Sequence, residues 1–126
     1  MREQDGRTRK RKTIQDCKMK RKYTLSRVSG RDITFTGEMV AESISTDFPG
    51  FRKSQDRWTE LRLYKTVGGN FICESVGKSR LPNEVDLSKI KVAESEVEVI
   101  EFFRESYLSR DLYEQAGIRL EAEGVD

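Results

Sequence analysis

Ten lysines and arginines fall within the first 22 residues, against only Glu3, Asp5 and Asp16, and they form the strongest chemical signal in this sequence. Arg7, Arg9, Lys10, Arg11 and Lys12 make one run; Lys18, Lys20, Arg21 and Lys22 make a second. Clustered cations suit phosphate contacts, because each neutralised phosphate releases condensed counterions. Arginine adds a planar fork that meets two phosphate oxygens at once. The same run could serve as a solvated tail or could bind an acidic protein surface. Nucleic acid, DNA or RNA, leads among these three readings. A second basic feature is the loop Phe48-Pro49-Gly50-Phe51-Arg52-Lys53, which interleaves aromatics with cations. If exposed, Phe51 beside Arg52 and Lys53 can stack on the bases of a single strand. The alternative is that Phe48 and Phe51 tuck back onto a sheet edge.

The residues that catalysis most often recruits are scarce. There is no histidine, which removes the commonest general base and the commonest metal ligand together. Cys17 and Cys73 are far apart, with no second cysteine near either, so neither a zinc site nor a disulfide framework is expected. They read as reduced thiols of a cytoplasmic protein. Val67-Gly68-Gly69-Asn70 lacks the Gly-Lys-Ser/Thr of a phosphate loop. Carboxylates are abundant, but abundance points to surface rather than to an acid–base pair. The expectation is therefore a protein without enzymatic activity, metal or cofactor. No apolar run approaches the ~20 residues that span a bilayer, so no membrane partner is expected. The basic start runs into Thr13-Ile14-Gln15-Asp16 rather than an apolar stretch, unlike a secretory leader.

Charge is strongly partitioned. The chain of 126 residues carries a net charge of only +2, with 37% charged and 35% hydrophobic residues. Residues 1 to 22 carry ten cations and three carboxylates, a net +7; residues 93 to 126 carry three arginines and ten carboxylates, a net −7. The acidic run through Glu98, Glu101 and Glu105, together with the aromatic pair Trp58 and Tyr64, offers a second class of function. An acidic face can pair with the basic arm, or occupy a nucleic-acid channel on another protein by charge complementarity.

The elements that must position these groups begin after the arm. Residues 1 to 22 hold too few large apolar side chains to offset the entropy of ordering, and read as a basic flexible arm. From Tyr23 to Val28 the chain is rich in strand formers. A second, long strand runs from Ile33 to about Ser45. Its apolar parity shifts from Ile33 and Phe35 to Val40 and Ile44, as a bulge at Gly37 would cause. Arg57–Thr66 and Phe71–Val76 flank the Gly-Gly turn and predict a hairpin, with Leu61 and Leu63 on one face, Trp58 and Tyr64 on the other. A short fifth strand is expected within 85 to 92. Ser95 and Glu98 fit a capping box opening a helix, with Val99, Phe103 and Tyr107 on its apolar face. Ser109 is expected to cap a second helix, stopped by Gly117. The fold class is α+β: an antiparallel meander of four to five strands, with one or two C-terminal helices on one face. The domain spans 23 to 118, followed by a polar tail from 119 to 126.

The order Phe35-Thr36-Gly37-Glu38, Arg57-Trp58-Thr59-Glu60 through Tyr64-Lys65-Thr66, Val76-Gly77 and Leu112-Tyr113-x-x-Ala116-Gly117-Ile118 resembles small α+β proteins of prokaryotic genomes and mobile elements, with a layout similar to the EXLDI-type family. The resemblance covers about residues 23 to 118 and leaves out the arm. The Glu-x-Leu-Asp-Ile ending that names the family is absent. The resemblance implies a compact α+β fold and a prokaryotic or phage setting, and carries over no catalytic residue. Two functions follow as expectations. The first is a nucleic-acid-associated protein that uses Arg7, Arg9, Lys10, Arg11, Lys12, Lys18, Lys20, Arg21 and Lys22, aided by Phe51, Arg52 and Lys53. The second is a protein-interaction module built on Trp58, Tyr64, Glu98, Glu101 and Glu105, such as a phage or plasmid inhibitor of anti-CRISPR type, or an accessory subunit of a nucleic-acid-processing complex.

Overall fold

The computed structural model describes residues 20–26 and 30–120. Five strands follow one another in sequence and in space: β1 (Arg21–Leu25), β2 (Ile33–Ile44), β3 (Arg57–Thr66), β4 (Phe71–Ser79) and β5 (Leu87–Ala93). Every neighbouring pair is antiparallel. Two helices, α1 (Glu96–Phe103) and α2 (Tyr107–Ala116), close the chain. The fold is thus the α+β meander with C-terminal helices that the residue pattern predicts.

Period-two alternation gives the sheet two distinct faces. Leu61 and Leu63 of β3, Cys73 of β4 and Ala93 of β5 face the helices, where they meet Val99, Phe103, Leu108, Leu112, Tyr113 and Ile118. Leu63, Cys73, Ala93, Val99 and Leu112 are wholly buried, and each large apolar side chain buried this way contributes roughly 1.5–3 kcal/mol. Leu120 also packs against this core, so the domain extends two residues past Ile118.

The shift of face along β2 is real, but Gly37 is not its cause. The register passes from Met39↔Tyr64 to Ala41↔Leu63, so Val40 is the bulged residue. The bulge lets Phe35 and Met39 face away from the helices while Ala41 and Ser43 face toward them. Gly37 matters for a different reason, since a Cβ there would lie 2.2 Å from the carbonyl oxygen of Lys65. Only a residue without a side chain allows β2 and β3 to approach this closely where β2 bends.

Beyond the bend, β1 and the first half of β2 curl over the inner face of the sheet. Tyr23 stacks on Phe35 with ring centroids 5.2 Å apart and tilts against Tyr64 at 4.9 Å. The Ser88 hydroxyl of β5 donates to the Ser26 carbonyl just past β1 at 3.2 Å, joining the two edge strands. The meander is therefore curled almost into a barrel.

Two boundaries differ from expectation. Arg21 and Lys22 belong to β1, paired with Gly37 and Thr36, rather than to the arm. The cap of α2 is Ser106, not Ser109: Ser106 accepts from the Ser109 amide at 3.1 Å, and the Ser106 amide donates to the Ser109 hydroxyl at 2.8 Å. Serine at the third helical position thus does what Glu usually does in a capping box. At α1, Ser95 caps as predicted, but Glu98 accepts from the amide of Glu94 rather than that of Ser95. Gly117 ends α2 in the left-handed conformation, as expected.

Candidate functional site

The described part of the basic run, residues 20–22, lies at the start of β1. Lys20, Arg21 and Lys22 are all exposed, and β1 is an edge strand with β2 as its one neighbour. The Arg21 guanidinium lies 5.8 Å from the centroid of the Tyr23 ring, a cation–π approach. Arg7, Arg9, Lys10, Arg11, Lys12 and Lys18 lie outside the described residues, as does Cys17.

The aromatic–cation loop is a separate patch. Phe48 packs against the core and edge-on to Tyr107 at 5.1 Å, so it follows the structural alternative rather than the stacking one. Phe51 is half-buried, and Arg52 and Lys53 are exposed. This loop follows the end of β2 at Ile44, whereas Arg21 pairs with Gly37. Seven residues of strand separate the two, roughly 23 Å at the usual strand rise. The fold does not merge residues 20–22 and the loop into one surface.

The residues of the protein-interaction reading also separate. Tyr64 is buried, 4% exposed, beneath Tyr23 and Phe35. Trp58 is half-buried; its indole donates to Glu60 at 2.9 Å, and the Arg80 guanidinium covers its ring at 5.3 Å. Glu101 and Glu105 are exposed and Glu98 half-buried on the helical side, next to exposed Val97 and Tyr107.

The sequence reading missed a charged network on the inner face, because alternation showed only that Trp58, Glu60, Arg62 and Tyr64 share a side. Cross-strand pairing supplies the remainder: Glu42 stands opposite Arg62 on β2, and Glu74 opposite it on β4. Arg62 donates to Glu42 at 2.7 Å and to Glu60 at 2.5 Å, and its third nitrogen lies 3.7 Å from Glu74. The Tyr64 hydroxyl donates to Glu74 at 3.3 Å. Burial alone would raise the Glu60 carboxyl, but the hydrogen bonds from Trp58 and Arg62 outweigh it and hold Glu60 below the usual carboxylate range. Burial likewise opposes the charge on Arg62, yet Glu60 and Glu42 keep its guanidinium more firmly protonated than usual. A guanidinium thus holds together the carboxylates best placed to converge. Among the described residues no three such ligands are arranged for a metal ion.

Cys73 is wholly buried, and burial pushes its thiol up to about 12. At neutral pH it is a packing group rather than a nucleophile. No described helix is long and apolar enough to cross a membrane.

In comparison with known proteins, no family model, no curated protein and no solved structure matches the chain. The class that can be stated is the architecture itself: a curled antiparallel meander backed by two helices.

Proposed function

We propose that this protein is a non-enzymatic nucleic-acid-associated module whose basic arm contacts phosphates and whose folded body carries the arm. The observation behind this reading is the partition of charge. Residues 1 to 22 carry a net +7 within a chain whose total is +2, and the last three cations of that run stand exposed at the start of an edge strand. Multiple cations on one segment give salt-dependent, sequence-independent affinity. The test is a salt titration of binding to short single- and double-stranded DNA and RNA. Native chain is compared with full-length protein in which Arg7, Arg9, Lys10, Arg11, Lys12 and Lys18 are replaced by Gln. The slope of log affinity against log salt should flatten by up to about 0.7–0.9 for each phosphate contact removed. Equal affinities and slopes for the two proteins would remove the basis of the proposal.

A second reading, a protein-interaction module, draws support from Val97 and Tyr107. They are 64% and 61% exposed beside Glu101 and Glu105, a mixed apolar and acidic surface of the kind partners cover. It calls for a stoichiometric complex that survives nuclease treatment and is lost in Tyr107→Ala. A complex that nuclease dissolves favours the first reading.

A further inference from the structure

The inner face of the curled sheet carries an open cleft that phosphate binding by the arm does not use. It lies between β1 and the β3–β4–β5 sheet, has a volume of about 500 Å³, and is walled by Leu25, Glu60, Glu74, Val76, Asp86 and Ser88. Clefts of this size at the mouth of a curled sheet are where small ligands are held.

Among the described residues its charge is unbalanced. There Glu42, Glu60, Glu74 and Asp86 meet Arg62 and Lys78, two more carboxylates than cations. Arg62 engages Glu42 and Glu60, and Lys78 engages Asp86 at 3.1 Å. Glu74 is left over. It is 8% exposed, and Arg62 stands 3.7 Å from its Oε1, beyond hydrogen-bond reach. That oxygen accepts only a long bond from Tyr64, and Oε2 accepts none among the described residues. A carboxylate offers about four acceptor positions, and removing them from water without replacement is costly. Beside Glu74 the cleft turns apolar, with Val76 on the floor and Leu25 on the overlying strand.

We propose that this cleft binds an organic cation, an ammonium or guanidinium on a short methylene stem, with the cationic head on Glu74 and the stem between Val76 and Leu25. Such a head adds close donors to the long bond from Tyr64, and the stem buries against the two apolar side chains as lysine and arginine stems do. A divalent metal fits less well, since Arg62 already draws Glu42 and Glu60 away. The cation can come from a free small molecule or from a basic side chain of this protein's own arm, and the experiment separates the two.

Calorimetric titration of 1,4-diaminobutane and n-butylammonium, with 1-butanol as the uncharged control, is carried out on the full chain and on the full-length arm-neutralised protein. Saturable binding of the amines but not the alcohol is expected. Glu74→Gln should weaken it at least tenfold, and Glu114→Gln on the exposed helical surface should leave it unchanged. Equal affinity for both proteins identifies a free ligand; tighter binding to the arm-neutralised protein identifies the arm as the resident cation. Leu25→Ala removes the apolar contact on the overlying strand without touching the charged network, and should also weaken binding tenfold if Glu74→Gln does not fold. Absence of saturable binding to both proteins, or affinity indifferent to Glu74→Gln and Leu25→Ala, overturns the proposal.

Discussion

Gly37 shows how one residue can decide a strand's path. With a Cβ 2.2 Å from the Lys65 carbonyl, Gly37→Ala cannot be accommodated without separating β2 from β3 or distorting the bend. A loss of about 1–3 kcal/mol, the usual range for overpacking, is expected in denaturant unfolding. A glycine between two apolar runs is visible in the sequence. Whether it marks a bulge or a close approach depends on what stands opposite, and that is a property of strand pairing. The same holds for Arg62: its type and parity are legible, but its partners Glu42 and Glu74 come from different strands, 20 and 12 residues away.

At the scale of elements, the turn between α1 and α2 rests on a compact set of hydrogen bonds. Arg104 takes a positive φ of 60° at the end of α1, a strained conformation for a residue with a side chain. Its carbonyl is held by the Tyr113 hydroxyl at 2.6 Å and the Ser109 hydroxyl at 3.0 Å. Ser106→Ala removes one capping acceptor and should cost about 1 kcal/mol. Ser109→Ala removes a buried hydroxyl that serves both the Ser106 amide and the Arg104 carbonyl, so a larger loss of about 2 kcal/mol is expected. Equal losses in the two variants, measured by chemical denaturation, would mean that the Arg104 contact contributes nothing. The helix docks onto β2 by a similar device: the Gln115 amide accepts from the Glu42 N–H at 3.1 Å and donates to the Glu42 carbonyl at 2.8 Å, standing in for an absent neighbouring strand.

For the molecule as a whole, stability should depend on acid through the inner network. Glu60 sits below its ordinary value near 4.5 in the folded state, so folding favours its ionised form. Its contribution is complete above the unfolded value and is lost as pH falls through the lower folded one. Melting temperature should therefore decline as pH drops below about 4.5, and Glu60→Gln should flatten that decline. A pH profile identical to the native protein's would show that Glu60 is not the group responsible. The curl of the sheet makes this a whole-molecule property, since the residues under β1 are those it shields from water.

The order of elements, the β3–β4 hairpin, the two faces of β3, the cap at Ser95 and the stop at Gly117 were all legible in the residue pattern. Each depends on local periodicity or on the chemistry of one turn, which neighbours a few residues away suffice to express. The partition of charge on which the nucleic-acid reading stands was legible there as well. Long-range pairing was needed to show that Val40 forms the bulge, that Tyr64 is covered, that residues 20–22 and the aromatic loop lie apart, and that Glu74 lines a cleft. Those outcomes arise from curling β1 back over the sheet until Ser26 meets Ser88, 62 residues distant along the chain. No local pattern encodes a contact of that range, because both partners are ordinary polar residues until the curl brings them together.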